Sequence, residues 1–415
     1  MDTATLKQRV CDVIDEQAEE LVRTSHAIHA NPELAFHEFE AAKLLTAKVE
    51  AAGLSVKRGA YGLPTAYEAE FGSGDSCVAI LSEYDALPGI GHSCGHNVIA
   101  VMGLGASIAL SALKADLPGR VRYLGTPAEE KGGGKEIMAQ AGAFDGVDAA
   151  MMVHPAGVDL STMPCICVSE VRVTYHGKSA HASAMPQAGL NALDALVTAY
   201  QTIAQLRQHI RPTERIHGIF TETGLAPNIV PDKATGVFYV RAADAHELAH
   251  LKQRVQNCFE AGALSSGCSV EVAWAKVDYL DMNTNWPLAA AYQSNAESLG
   301  REFFPLEKMP SGSAGSTDMG NVSHRVPSIH PMIACAPRGV VIHNPEFARW
   351  AGSEMGDKAC LDGAKAMAMT TIDYLVDRGL REAAAADFQK TSDISAAAVA
   401  VAYHPEGDTD IGGCC

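Results

Sequence analysis

Apolar positions along this chain recur with two periods. From about residue 5 to 29 they fall at helical spacing, with Leu6, Val10, Val13 and Ile14 on one side, as an amphipathic helix requires. Pro32, in HANPEL, ends the pattern. Residues 36–53 predict a second helix that closes at Gly53. Short apolar runs then predict strands at 65–71, 78–82, 121–126 and 149–153. The run 78–82 opens into Glu83–Pro88, the run 121–126 reaches Pro127 and Glu129-Glu130, and the run 149–153 stops at His154. In α/β sheets the C-terminal ends of strands are where sites collect. Val98–Leu113 is uncharged and apolar, is short for a membrane span and contains Gly103 and Gly105; it predicts a buried helix.

The pattern then changes. Strand 168–176, helix 190–208, strand 216–223, strand 234–242, helix 246–261 and strand 269–275 give the order β-α-β-β-α-β, which is the ferredoxin-like unit. Val171, Val173 and Tyr175 alternate with Arg172, Thr174 and His176, as a half-buried sheet demands. After about residue 285 helical and apolar runs resume, through 329–335 to a long helix at 352–378. The expected fold class is therefore α/β. A first domain with a mixed sheet flanked by helices (1–167 and 286–385) is interrupted by an inserted ferredoxin-like α+β domain, or lid (168–285). An Ala-rich tail, 386–415, follows, partly disordered or a helical extension.

Composition narrows the function. The 415 residues are 47% hydrophobic and 20% charged, the profile of a globular protein of two or three domains. Lys and Arg total 32 against 49 Asp and Glu, for a net charge of −17. That disfavours nucleic acid as a partner, because phosphate binding needs a basic surface. The eleven cysteines are odd in number and irregular in spacing, so they do not read as a disulfide framework; a reducing cytoplasm fits better. The N-terminal residues carry charges early and no apolar core of a signal peptide, and no membrane span is expected.

Candidate chemistry gathers at the predicted strand ends. Cys94-Gly95-His96 places a thiolate and an imidazole two residues apart, both ligands for zinc-like ions. Alone, a Cys-x-His pair is too short to specify a metal site. Asp85, on the same loop region, can accept a hydrogen bond from a ligand imidazole and so fix its tautomer. Glu129-Glu130 follows an apolar strand and a proline and precedes glycines. On an extended segment adjacent side chains diverge, which lets one carboxylate ligate while the other faces a bound water. His154-Pro155 and His343-Asn344-Pro345 hold their histidines in fixed local chain, but spacing alone does not make either a ligand.

Taken in order, HANPELAFHE, EYDALPGIGHSCGHN, GTPAEEKGGGK, MMVHP, GKSAHAS-x-P, NIVPD, GSTDMGNVSH and HNPEF resemble the dinuclear-metal aminoacylase and carboxypeptidase family. Within it they resemble the amidohydrolase subfamily that uses cysteine as a metal ligand, on the branch of aminobenzoyl-glutamate hydrolases and β-alanyl-lysine-type dipeptidases. The resemblance covers about residues 20–380. It implies two divalent ions, Zn²⁺ or Mn²⁺, bridged by Cys94, with His96 and His154 completing one site and Glu130 and His343 the other. It makes Glu129 the general base, and His181 an oxyanion donor that reaches across the interface of a homodimer formed by the lid. Asn228 becomes a partner of the scissile carbonyl, and Gly315, Ser316 and Thr317 contact the substrate's carboxylate end. The implied activity is metal-dependent hydrolysis of an amide bond in a small N-acyl amino acid, dipeptide or aminoacyl conjugate.

Two other classes use the same residues. A metal-independent thiol hydrolase would pair Cys94 with His96, but residues at i and i+2 do not readily face each other. A non-catalytic subunit on this scaffold would be expected to have lost ligands, and every implied ligand is present. Gly103-Leu104-Gly105 lacks the third glycine and the preceding strand of a dinucleotide fingerprint, and Lys131–Lys135 lacks the spacing of a phosphate loop. Lys131 stands where a small residue is expected beside the Glu pair. His176, His324 and His330 read as structural or supporting residues.

Overall fold

A computed structural model describes residues 1–309 and 314–408. They form two compact units, one of residues 1–165 and 282–396, the other of residues 166–281 with the C-terminal segment from Ala397.

The first unit opens with α1 (Thr3–Glu16), α2 (Ala18–Ala30) and α3 (Phe39–Ala51). The single helix expected over 5–29 is divided at Gln17, whose ψ of 2° is not helical. The hydrogen-bond ladder crosses the break, from Gln17 N–H to Val13 C=O and from Leu21 N–H to Gln17 C=O. Leu6, Val10, Ile14, Leu21 and Ile28 therefore stay on one buried stripe. Next come β1 (Lys57–Arg58), β2 (Tyr67–Gly72), β3 (Cys77–Ser82), α4 (His96–Ala112), β4 (Arg120–Gly125), α5 (Gly134–Gln140), β5 (Ala149–Met151) and β6 (His154–Ala156).

The second unit is built from β7 (Cys167–His176), α6 (Ala192–Leu206), β8 (Arg215–Glu222), β9 (Lys233–Ala242), α7 (Ala245–Ser266) and β10 (Ser269–Trp274). Its strands run in the order β10-β7-β9-β8, and every pair is antiparallel. That is the ferredoxin-like arrangement the alternating pattern predicts. Val171, Val173 and Tyr175 are buried under α6 and α7, while His176 is exposed.

The chain then returns to the first unit through α8 (Trp286–Ser298), α9 (Met319–Ser323), β11 (Ser328–Ile329), β12 (Met332–Ala334), α10 (Pro345–Ala351), α11 (Glu354–Val376) and α12 (Arg378–Gln389). A last helix, α13 (Ser392–Ala402), leads into the second unit. Much of the Ala-rich tail is thus helical; residues 409–415, with Cys414 and Cys415, lie outside the described residues.

The sheet of the first unit is mixed, in the order β1-β2-β4-β3-β5-β11. β3 runs parallel to both β4 and β5, and β5 parallel to β11. The C-terminal ends of β3, β4 and β5 therefore open on the same edge. Central parallel strands are covered on both faces and read as unbroken apolar runs, and all six residues of β3 are buried. Helix α4 is apolar all round and buried over nearly its whole length, as a helix enclosed by other elements must be. Among the described residues no helix is long and apolar enough to cross a membrane.

Gly103 shows how closely α4 crosses β3. A Cβ there would collide with Ser82 Oγ and lie 2.8 Å from the Leu81 carbonyl oxygen. Its role is close packing, which leaves nothing of a nucleotide motif. Gly103→Ala should destabilise the first unit by about 1–3 kcal/mol through overpacking, although alanine is the better helix former. The check is a lower denaturation midpoint at unchanged m-value; an unchanged or raised midpoint contradicts this packing.

Candidate metal centre

The loop after β3 brings the first donors to the sheet edge. Leu87 and Gly91 exchange both backbone hydrogen bonds across Pro88-Gly89, closing a tight turn. Gly95 then takes a left-handed φ of 77° at the start of α4, and a Cβ there would strike Pro155. Only glycine fits this position. Cys94 and His96 flank it, both buried.

Asp85 links this turn to the carboxylate pair. Its Oδ1 accepts the His96 Nδ1–H at 3.0 Å, and its Oδ2 accepts the Glu130 N–H at 2.8 Å. Burial opposes a charge on Asp85, but the His96 imidazole and these hydrogen bonds outweigh it and hold the carboxyl below its usual range. With Nδ1 committed as donor, His96 carries its lone pair on Nε2, which is buried and has no hydrogen-bond partner. Burial would lower the His96 pKa; Asp85 first, then Glu83 and Glu129, push it up to about 9. At neutral pH an ion must therefore displace a proton to bind there.

The glutamate pair sits on a tight turn, not on the extended segment expected from sequence. Ala128 adopts a left-handed φ of 62° immediately before it, and both carboxylates approach His96 Nε2, Glu130 Oε1 at 3.8 Å. Glu130 Oε2 lies 3.6 Å from His343 Nε2, and Glu129 Oε2 lies 3.7 Å from His96 Nε2. Burial pushes the Glu129 carboxyl well up, and the Glu83 and Glu130 charges add to it.

His154 opens β6, and its Nδ1–H goes to the Pro155 carbonyl at 2.8 Å. That leaves Nε2 as the bare nitrogen, 3.4 Å from Cys94 Sγ. Burial and the His330 and His96 imidazoles push its pKa well down, so this ring is neutral and able to ligate. His343, with a left-handed φ of 60°, donates its N–H to the Ser93 carbonyl; its Nε2 has no hydrogen-bond partner.

Two donor triads result, Cys94/His96/His154 and Cys94/Glu130/His343, each with ligand atoms within 4.8 Å of one another. They share the thiol. One sulfur, three imidazoles and one carboxylate suit Zn²⁺ and related ions, and the bare Nε2 atoms of His96 and His343 are what a ligand set for cations leaves open. The residues fit a dinuclear centre. A third triad, Glu83/His96/Glu129, draws on the same His96 lone pair.

Sequence reasoning did not single out Glu83, Lys135 or Asp318. The buried Lys135 ammonium bonds Glu83 Oε1 and, at 2.6 Å, Asp318 Oδ1; its backbone N–H reaches Asp318 Oδ2 at 2.9 Å. Glu83 Oε2 faces His96 Nε2 at 3.6 Å. The signal was a lysine after three glycines, set aside as an incomplete phosphate loop. Ser316 and Thr317 are buried just before Asp318, Gly315 N–H bonds the Pro164 carbonyl, and Lys131 is exposed. His330 packs edge-on against His154 with ring centroids 5.5 Å apart.

His181 and Asn228 belong to the second unit, where they are neighbours on its surface. The Asn228 carbonyl accepts the Ala182 N–H at 3.0 Å. His181 Nδ1 accepts from the Ser183 and Ala184 N–H groups at 3.3 and 3.2 Å, so Nε2 carries the proton and is the donor.

Residues 79–371 match the model of peptidase family M20/M25/M40. The chain is 41% identical to a Mus musculus Xaa-Arg dipeptidase over 399 residues, 92% of each chain. It is 40% identical to a Homo sapiens Xaa-Arg dipeptidase over 403 residues, again 92% of each chain. The fold matches a Bacillus subtilis protein described as a dinuclear metal binding peptidase from the M20 family, with a TM-score of 0.65 at 21% identity, over 87% of this chain and 99% of that one.

Asp85→Asn keeps the side chain's shape but leaves one acceptor for two donors. It should weaken metal affinity about 10–100-fold, measured by competition with a chromophoric chelator. Undiminished affinity would mean that Asp85 does not orient His96.

Proposed function

Since the chain belongs to peptidase family M20/M25/M40 and is a hydrolase of peptide and amide C–N bonds, we propose that it is a dipeptidase working through a dinuclear Zn²⁺ or Mn²⁺ centre. The two donor triads that share Cys94 carry this reading. Cys94, His96 and His154 hold one ion, and Cys94, Glu130 and His343 the other. When bound, the ions supply Lewis acidity toward the scissile carbonyl and lower the pKa of water.

The remaining chemistry falls to side chains. Glu129, the carboxylate of the pair with no part in either triad, takes the proton of the attacking water and delivers it to the departing amine nitrogen. His181 donates its Nε2–H to the carbonyl oxygen as negative charge develops there; Asn228 beside it supports that oxygen. Residues 168–285 act as lid and dimerisation domain of a homodimer, so that His181 serves the partner's site. Gly315, Ser316 and Thr317 meet the substrate's carboxylate end. A reducing cytoplasm keeps Cys94 out of disulfides, and coordination would deprotonate it.

The substrate class follows from the Xaa-Arg dipeptidase at 41% identity and from charge. A chain of net charge −17 attracts cations over distance. The favoured substrates are dipeptides with a basic C-terminal residue. The deciding assay offers the metal-loaded protein Xaa-Arg and Xaa-Lys dipeptides, neutral dipeptides, N-acyl amino acids and p-aminobenzoyl-glutamate. Basic dipeptides should give the highest kcat/KM, and preference for another class would move the assignment to that class.

Chelation should abolish activity, and Zn²⁺ or Mn²⁺ should restore it; full turnover after exhaustive metal removal contradicts the metal reading. Glu129→Ala should retain two ions while kcat falls at least about 10²-fold, the lower end for a general base. Ordinary kcat in that variant excludes Glu129 as the base.

A further inference from the structure

Glu38 closes the motif HANPELAFHE, and no step above uses it. Its side chain is fully buried. Glu33, five residues earlier, has a local duty: its carboxylate accepts the Glu40 and Ala41 N–H groups at the start of α3. Glu38 instead reaches far along the chain. Its Oε1 accepts the Phe36 N–H at 2.8 Å and the Ala128 N–H at 2.9 Å, and its Oε2 accepts the Thr65 hydroxyl at 2.8 Å.

The two amides on Oε1 share one property. Phe36 and Ala128 are both non-glycine residues in the left-handed region, with φ of 63° and 62°. Such a conformation is strained for a residue with a Cβ and persists only where its surroundings impose it. One buried carboxylate oxygen accepts the amides of both. The Phe36 ring in turn covers Gly132, where a Cβ would collide with it. The Ala128 carbonyl accepts from Gly133 and Gly134, closing the turn that contains the glutamate pair.

Glu129 therefore lies between two pinned amides. The N–H before it, of Ala128, is held by Glu38, and the N–H after it, of Glu130, is held by Asp85. We propose that Glu38 is a positioning residue for the general base: by holding Ala128 in its left-handed conformation it aims the Glu129 carboxylate. The proposal rests on Glu129 being the base. Glu38 belongs to none of the donor triads and acts through the backbone of residue 128. A misplacement of about 1 Å at a reacting group costs on the order of 10²-fold in rate, so loss of this hold is visible in kcat.

The conformational origin of the effect makes it testable. Glycine reaches positive φ without the penalty that alanine carries. In full-length, metal-loaded protein, Glu38→Ala should lower kcat about 10–100-fold with KM and the content of two ions unchanged. Glu38→Gln should keep most of kcat, because its amide oxygen accepts the same two N–H groups and its amide nitrogen can donate to the Thr65 hydroxyl. The decisive protein is Glu38→Ala combined with Ala128→Gly, which should recover kcat to within about tenfold of the parent.

If Glu38→Ala alone does not fold, the double variant should still fold and turn over. A double variant that is unfolded, or folded with two ions and no more active than Glu38→Ala, overturns the proposal: the carboxylate would then serve the fold at large. Glu129→Ala is the reference. If it stays active, the base assignment fails first; if it is inactive while the double variant is not rescued, only the inference about Glu38 fails.

Discussion

The Asp85 carboxylate is the constraint on which the site depends. One of its oxygens fixes the tautomer of His96, and the other holds the amide of Glu130. Beside it, the segments after β3 and β4 are joined by the Thr126 hydrogen bonds to the Ser82 carbonyl and by the Lys135–Glu83 ion pair, but neither of these reaches the ligand imidazole. The sheet delivers both turns to one edge because β3 and β4 run parallel. Parallel strands bring loops together but do not set the angle between them. A single short acid, buried between an imidazole and a peptide N–H, sets it. Distances of 3.6–3.8 Å between the donor atoms around His96 and Glu130 follow from that one clamp.

How much of this was legible in the sequence depended on whether a feature was periodic. The ferredoxin-like unit was readable because its strands alternate and its helices carry one apolar face: Val171, Val173 and Tyr175 against Arg172 and Thr174. Helix α4 was readable from the uncharged run 98–113. The ends of β3, β4 and β5 pointed to the site because polar residues follow apolar runs there. The break at Gln17 was not readable, since the buried stripe continues through it. Nor was the turn at the glutamate pair. Its conformation is set by Ala128, a residue with no preference for positive φ, and by Glu38, ninety positions away. A local pattern cannot encode a conformation that a distant carboxylate imposes. For the same reason Lys135 was read only as part of a failed phosphate loop, when its partners are Glu83 and Asp318.

The donors themselves were legible by type and position, because thiol, imidazole and carboxylate announce their chemistry. Their grouping into two triads around one sulfur was not a property of spacing. Cys94, His154 and His343 lie far apart in the sequence. Only the register of β3, β4 and β5, and the left-handed backbone at Gly95 and His343, bring them together.

Charge explains why such a site tolerates its own burial. Glu83, Asp85, Glu129, Glu130 and Asp318 are all buried within reach of one another, and the buried cations facing them are Lys135 and the His96 imidazole. Burying like charges together is costly unless they are paired. Lys135 offsets Glu83 and Asp318. Asp85 is offset by His96, but only while His96 stays protonated, and a protonated His96 cannot ligate. Glu129 and Glu130 both approach His96 Nε2, at 3.7 and 3.8 Å, while burial, with the Glu83 and Glu130 charges, drives Glu129 toward its neutral form. His96 and Glu129 are both shifted toward their protonated forms, away from the states the proposed chemistry uses. Two divalent cations held by Cys94, His96, His154, Glu130 and His343 would add positive charge there, favouring a neutral His96 and an ionised Glu129. The same excess of buried acid that makes the metal-free site a poor arrangement for stability is what selects it for cations.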